Sequence, residues 1–321
     1  MRARLTESRP TFGYLLPTFE AADEPGRQLT SLVELGVRAE EVGFDAVWVP
    51  DSPLVYGLPD PVVVLAALAA ATRRVTLATG MLLGALRQPV LLAHSLATVD
   101  RLATGRLVVG LGSGFSAPET ERQFAAVGVP FRGRVGRLTE TITVLRSLWS
   151  SPGKPVSHAG RHITFDGVTL SPTPHTPNGP PIWLAGAGEV AERRVGRLAD
   201  GWLPYPPTAT NYAEGWARVQ TAAEAAGRAS PPTPGLYVTV ALDPSADAAR
   251  HRLRTTIERW YGRPFDAVSA RQATFGGTPA DLRDWLAPYL RAGVRHVVLR
   301  AADERPRRAL ETVAAALPLL T

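Results

Sequence analysis

The chain has 321 residues, 45% of them hydrophobic and 20% charged, which is too apolar for disorder and enough for one large core or two small ones. It has no cysteine, which excludes a disulfide framework, a thiolate nucleophile and any cysteine-ligated zinc or iron–sulfur centre, and makes the cytoplasm the expected location. The net charge is +6, but 34 of the 35 basic residues are scattered arginines and only Lys154 is a lysine; without a basic cluster or recognition motif, no nucleic-acid partner is expected.

The polar start MRARLTESRP lacks the apolar core of a signal peptide. The most apolar stretch, Val62 to Ala71, is half the ~20 residues a membrane helix needs, so no membrane partner is expected. Phe12 to Pro17 reads as the first strand. Leu29, Leu32, Val33, Gly36 and Val37 then recur at helical spacing, and Gly43 stops that helix. FDAVWV (44–49) is a second strand, and Pro61 opens a helix at the first-turn position that suits proline. Strand 74–80 and helix 89–101 follow, then strand 106–112 and helix 134–149, with Leu138, Ile142, Leu145 and Leu148 on one side. Next come strand 181–186, helix 188–199, strands 201–205, 236–242 and 295–300, and a last helix over 305–319.

Eight strands, most apolar on both faces and separated by helices, predict a parallel sheet covered by helices. Eight such units in this length match a TIM (β/α)8 barrel. An open doubly wound sheet is the alternative, but the first strand runs into Pro17-Thr18-Phe19-Glu20 and not into a glycine-rich turn. Two segments after strand four interrupt the rhythm: 113–134, and 150–181 with seven prolines and a hairpin at 158–170. Both read as insertions within a single domain covering 1–321.

In such a barrel the site lies at the C-terminal ends of the strands. Those ends carry Thr18, Phe19 and Glu20; Asp51 and Ser52; Gly80, Met81 and Leu82; Gly112, Ser113, Gly114 and Phe115; Gly186, Ala187, Gly188 and Glu189; and Pro204 and Tyr205. LAGAGEVAERR (184–194) is the better anion site, because glycines permit close approach and a helix starts near Gly188 with free N–H groups and a positive dipole end. Arg193 and Arg194 lie a turn further on. A tight βα turn would account for the same glycines. GLGSGF (110–115) lacks the full dinucleotide fingerprint and reads as a flat floor for a planar ring, or as a strand with small side chains. Asp51 is a candidate acid/base group or a helix cap. His158 and His162 are four apart, but Gly160 stands between them in the hairpin, so no metal site is expected. Ser113 lies outside a nucleophile elbow, and no triad order supports a hydrolase. A bound organic cofactor has to carry the chemistry.

The chain resembles the bacterial luciferase-like monooxygenase family over nearly its whole length. The matching stretches are AEEVGFDAVWVPDSPL (39–54), residues 65–114, VGVPFRGRVGRLTETITVLRSLW (127–149), PPIWLAGAGEVAERRVGRLADGWLP (180–204) and FGGTPADLRDWLAPYLRAGVRHVVLR (275–300). The resemblance implies a TIM barrel that binds FMN or the deazaflavin coenzyme F-420, and a homodimer or homotetramer. By position it implies that Thr79, Gly80 and Met81 touch the flavin ring, that Gly112 and Ser113 lie beside it, and that Gly186, Ala187 and Gly188 hold its phosphate. Many relatives carry a histidine where this chain has Ser52, so the resemblance leaves the acid/base residue open between Asp51 and Ser52.

Three functions follow from the resemblance. The first is a monooxygenase that uses reduced FMN and O2 on a small organic substrate. No second nucleotide fingerprint is present, so a separate flavin reductase would be its partner. The second is an F-420-dependent oxidoreductase that transfers hydride without O2; the arginine surplus would favour that cofactor's acidic tail. The third is a non-catalytic flavin-binding protein. Phe19, Tyr56, Phe115, Trp202 and Tyr205 are the candidate substrate-pocket residues. Helices 61–71 and 89–101 carry more leucine and alanine than one buried face needs, which also points to a dimer.

Overall fold

The computed structural model describes residues 9–18, 29–54 and 57–320; Phe19, Glu20 and Tyr56 lie outside them. In chain order the elements are β1 (Thr11–Leu15), α1 (Thr30–Glu41), β2 (Ala46–Val49), α2 (Pro61–Ala71), β3 (Thr76–Thr79), β4 (Leu82–Leu83), a 3-10 turn (Gly84–Leu86), α3 (Pro89–Leu102), β5 (Leu107–Gly112), α4 (Pro118–Ala126) and α5 (Arg134–Trp149). They continue with β6 (Val156–Ala159), β7 (Thr164–Val168), β8 (Ile182–Leu184), α6 (Glu189–Leu198), β9 (Gly201–Trp202), α7 (Ala209–Ala225), β10 (Thr233–Leu242), α8 (Ala246–Tyr261), α9 (Phe265–Ser269), β11 (Thr274–Gly277), α10 (Pro279–Arg291), β12 (His296–Ala301) and α11 (Pro306–Leu320). α2 starts where the sequence places it because Asp60 caps the Val62 and Val63 N–H groups at 2.8 and 3.3 Å and Pro61 takes the first position. α4, α7 to α10, β4 and β11 go beyond the elements read from the sequence.

Contacts divide the described residues into two compact units, 49–182 and 9–48 with 183–320. The divisions fall inside β2 and β8 and not in the proline-rich segment, which stays with the first unit. In that unit β3 and β4 both run parallel to β5, Leu77 opposite Leu107 and Leu82 opposite Leu111. Gly110 permits the crossing: a Cβ there would lie 2.1 Å from the Thr79 carbonyl oxygen and 2.9 Å from Met81 Sδ. The peptide between Gly80 and Met81 is cis.

The segment 150–181 forms the expected hairpin, β6 antiparallel to β7. Glu140 of α5 ties down its tip by accepting the Arg161, His162 and Ile163 N–H groups at 2.9 to 3.2 Å. Burial works against that carboxylate's charge, but these hydrogen bonds outweigh it and hold its pKa below the ordinary value. At the other end Asp100 of α3, fully buried, accepts the Thr176 N–H at 2.7 Å and its hydroxyl at 3.1 Å. There burial dominates, and the pKa is raised.

In the second unit every strand pairing is parallel. β1 lies between β12 and β2, β10 lies between β12 and β9, β9 also pairs with β8, and β11 flanks the C-terminal part of β10. Trp48, Trp183 and His296 share one face, and Gly13, Gly201 and Gly235 make room for them. A Cβ at Gly13 would sit 2.6 Å from the Trp48 indole nitrogen, and one at Gly201 would sit 2.1 Å from the Trp183 ring. The Trp48 indole N–H donates to His296 Nε2 at 3.0 Å, and His296 Nδ1 lies 2.8 Å from the Thr11 hydroxyl, which donates to the Arg295 carbonyl at 3.2 Å. Because Nε2 accepts, the neutral ring carries its proton on Nδ1 and donates to Thr11. Burial pushes the His296 pKa down to about 3.

His296→Phe should therefore cost about 2–5 kcal/mol at pH 7.5, since it strands the buried Trp48 N–H donor and takes away the hydrogen bond that the Thr11 hydroxyl oxygen accepts. The unfolded chain protonates this imidazole below about pH 6.5 while the fold keeps it neutral to about pH 3. Its contribution is complete above pH 6.5 and shrinks by about 1.4 kcal/mol per unit as the pH falls. Unfolding free energies of the two proteins from urea melts should converge by about 2 kcal/mol between pH 7.5 and pH 5. A constant gap would show that the ring titrates alike in both states.

Candidate functional site

The strand ends of each unit present a different kind of surface. In the unit 49–182, Thr79 is fully buried and its hydroxyl donates to the Gly110 carbonyl at 2.7 Å. Gly80 donates its N–H to the Val49 carbonyl at 2.8 Å. The space beside Gly110 and Gly112 is taken by Thr79 and Met81, so the floor read from GLGSGF first accommodates this chain's own segment. Ser113 is half-buried, and Phe115 stands 68% exposed beyond β5.

Asp51 follows β2 with its side chain 1% exposed. One carboxylate oxygen accepts the Leu83 N–H at 2.8 Å and Arg87 Nη1 at 2.6 Å, and Arg87 Nη2 also donates to the α2 cap Asp60 at 2.9 Å. Burial opposes the guanidinium's charge, but Asp51 and then Asp60 more than offset it, so the Arg87 pKa is raised. This geometry makes Asp51 a brace between the ends of β2 and β4 and the start of α2, and disfavours it as the acid/base group. Ser52 is buried and paired with the Gln123 side-chain amide at 3.3 to 3.5 Å, and Gln123 also accepts the Leu54 N–H at 3.3 Å. Gln123 lies on α4, inside the segment read from the sequence as an insertion. Among the described residues no group of three or more metal-ligating side chains is placed to hold an ion, and no helix is long and apolar enough to cross a membrane.

In the other unit, Gly186 and Gly188 have φ of +125° and +87°, which only glycine adopts freely. The expected phosphate turn needs a correction. The Gly188 N–H is already spent on Glu192 Oε1 at 3.0 Å, and Glu192, itself buried, is held by Arg218 Nε at 2.5 Å. A carboxylate occupies the place where a third donor to a phosphate was expected. The Gly186 and Ala187 N–H groups and the α6 first turn remain as donors. Arg193 pairs with Glu189, while burial lowers the pKa of half-buried Arg194.

Trp202 is also corrected. Its ring is 1% exposed, stacked on Tyr212 and Trp216 at centroid distances of 5.3 and 6.2 Å, and its N–H donates to the Gly186 carbonyl at 3.0 Å. It is a core residue that braces the glycine turn and not a pocket wall. Tyr205 meets Tyr237 edge-on at 6.3 Å, and burial pushes its pKa up to about 12.

The residue the sequence reading missed is Arg300. It stands opposite Thr239 in the β10–β12 register, on the same face as His296 and nearer the strand's C-terminal end. It is buried, lies 3.6 Å over the Trp260 ring and donates to the Tyr261 hydroxyl at 3.1 Å. The signal was present as one arginine near the end of a strand that is apolar apart from His296. Thr239 Oγ1, Gln272 Nε2 and Thr18 Oγ1 are buried with no hydrogen-bond partner among the described residues. Such unanswered groups at strand ends fit a ligand with polar edges.

A family model described as luciferase-like monooxygenase matches residues 11–305. The F420-dependent glucose-6-phosphate dehydrogenase of Rhodococcus hoagii (strain 103S) is 27% identical over 308 residues, 87% of this chain and 90% of that protein. The enzyme of the same name from Amycolatopsis mediterranei (strain U-32) is 34% identical over 181 residues, 54% of this chain, so the match spans about half that relative's length, 52%. Among solved structures, monooxygenase RslO1 from Streptomyces bottropensis is 26% identical with a TM-score of 0.81, over 97% of this chain and 100% of its own. An F420-dependent secondary alcohol dehydrogenase in complex with an F420-acetone adduct shares the fold, with 20% identity and a TM-score of 0.81 over 98% of this chain and 99% of its own. The fold is the parallel (β/α)8 barrel that the sequence predicts.

If Asp51 is a brace, Arg87→Leu should destabilise the protein by about 3–5 kcal/mol, because a buried carboxylate loses its counter-charge. Adding Asp51→Asn should restore part of that loss. Denaturant melts of both variants check this, and an Arg87→Leu protein as stable as the parent would remove the brace.

Proposed function

The chain belongs to the luciferase-like monooxygenase family and is an oxidoreductase, and on that premise we propose that its cofactor is the deazaflavin F-420 and its reaction a hydride transfer to or from a small organic alcohol or carbonyl compound. The observation that carries this reading is the likeness, 27% identical over 87% of the chain, to proteins named F420-dependent glucose-6-phosphate dehydrogenases. It reverses the order in which the sequence placed the two cofactors, reduced FMN with O2 having come first.

Bound F-420 supplies the carbon that gives or takes the hydride. In the unit 183–320, the Gly186 and Ala187 N–H groups would hold its phosphate at the positive end of α6, with Arg194 adding charge from one turn further on. Within the unit 49–182 by itself, Thr79, Gly80, Met81, Gly112 and Ser113 are the residues suited to a planar ring, the 79–83 segment being held by Asp51 and Arg87. Arg300 and the Tyr205 and Tyr237 rings would orient a substrate oxygen.

A reduced-FMN monooxygenase, served by a separate reductase, is the second reading, and the 26% identity to RslO1 favours it. Anaerobic titration separates the two. F-420 should bind more tightly than FMN, and its visible absorbance should bleach on adding an oxidisable alcohol. Substrate oxidation that needs reduced FMN and O2 would establish the second reading, and tight flavin binding without turnover a third.

We also propose a homodimer or homotetramer. Val63 on α2 and Leu91 and Leu102 on α3 are 69%, 67% and 51% exposed, an apolar face that a second copy would cover. Light scattering at micromolar concentration should show at least twice the chain mass, and Val63→Asp/Leu91→Asp should halve it. Monomers alone in the parent would refute this.

A further inference from the structure

We propose that the face shared by β10 and β12 holds a carboxylate of the substrate, so that the substrate is a hydroxy or oxo acid with a flat apolar body; the inference rests on the hydride-transfer reading above and names its substrate class. Every residue it uses lies in the unit 9–48 with 183–320. Strand register sets the donors side by side. Thr239 of β10 stands opposite Arg300 of β12, and Tyr237 opposite Val298. Alternate residues of a strand share a face, so Tyr237, Thr239 and Arg300 lie on the face of His296, nearer the C-terminal ends. On the other side of β10, Thr239 is paired with Thr274 of β11, and Gln272 stands two residues before it. Ala273 ties this level together, donating its N–H to the Tyr205 carbonyl at 2.9 Å and accepting the Thr239 N–H at 3.1 Å. The end of α8 closes over it, with the Trp260 ring 3.6 Å from the Arg300 guanidinium and the Tyr261 hydroxyl accepting from Arg300 at 3.1 Å.

The chemistry of this cluster is that of donors. A guanidinium and an amide nitrogen can only donate, and a threonine hydroxyl can do so. Thr239 is fully buried, and neither its Oγ1 nor Gln272 Nε2 meets a partner at hydrogen-bond geometry among the described residues. Leaving both unanswered costs stability that valine and leucine in the same places would not cost, so the fold gains nothing from their polar ends. The phenols around them stay protonated. Burial, then Tyr261 and Tyr237, pushes the Tyr205 pKa up to about 12. Burial also raises that of Tyr237, although Arg300 and Thr239 work against it. These rings therefore serve as walls and as further donors at neutral pH. A carboxylate brings two acceptor oxygens in one plane and no donor, which matches a guanidinium flanked by a hydroxyl and an amide nitrogen. A ketone brings one acceptor and would leave one of the two groups stranded.

The test is titration of the full chain, without cofactor, with benzoate, benzamide and methyl benzoate, read by tryptophan fluorescence because Trp260 lies against the guanidinium. The parent should bind benzoate at least about tenfold more tightly than the two neutral probes. Arg300→Gln should abolish that preference. Thr239→Val and Gln272→Leu should each weaken benzoate by about fivefold or more, while the melting temperature of the chain alone rises by about 1–3 °C, as expected when an unanswered buried polar group is removed. A parent that binds the three probes alike overturns the carboxylate site. So do Thr239→Val and Gln272→Leu proteins that keep the parent's affinity for benzoate, or that melt more than about 3 °C lower, since those groups would then serve the fold. The cofactor reading fails separately: benzoate preference in a chain that does not bind F-420 overturns that reading and leaves the subsite standing. F-420 bleached by neutral alcohols, in a chain that does not bind benzoate, overturns the subsite alone.

Discussion

A polar side chain buried in a parallel sheet costs stability for every donor or acceptor left unanswered. His296 leaves none unanswered between Trp48 and Thr11, as a neutral ring with one nitrogen accepting and the other donating. The two indoles and the imidazole fit on one face because Gly13, Gly201 and Gly235 carry no side chains there. A charged imidazole would lose the Trp48 donor at once, so the arrangement and the low pKa are the same fact seen twice.

The same constraint explains the buried and half-buried carboxylates. Asp51 faces Arg87, Glu192 faces Arg218, and Asp100 and Glu140 rely on hydrogen bonds from Thr176 and from the hairpin tip. None of these four is left over for proton transfer. What remains unanswered among the described residues includes Thr18, Thr239 and Gln272, which stand at or near strand ends. Buried polar groups without partners cost stability, and a site that persists with them is suited to a ligand that supplies the partners.

How much of the site could be read in advance depended on the range of the interaction. The strand-end rule found Asp51, the glycine turn and Tyr205. It could not show that Asp51 is engaged by Arg87, 36 residues on, or that Ser52 is held by Gln123, 71 residues on. Gly188 is the instructive case. The sequence showed a glycine at a helix start, but Glu192 sits only four residues away and still consumes its N–H, because Arg218 on another helix makes that rotamer the charged, buried one. Trp202 looked like a pocket aromatic because a strand-end position says nothing of which face the ring takes.

The sequence by itself determined the repeating strand and helix pattern and the bounds of α2 and α5. α2 starts at the Asp60 cap and Pro61, and α5 shows in the spacing of Leu138, Ile142, Leu145 and Leu148, both of which act within a few residues. It left α7 to α10 unread although Thr278, Pro279 and Asp281 spell a capping box and Leu282, Leu286 and Tyr289 recur on one buried face of α10. Only the tertiary structure decided which polar residues are braces and which face the site. It set Thr11 against His296, 285 residues apart, and placed Arg300 beside Thr239. Such pairings depend on strand register, and register comes from packing the whole sheet and not from any short stretch of chain.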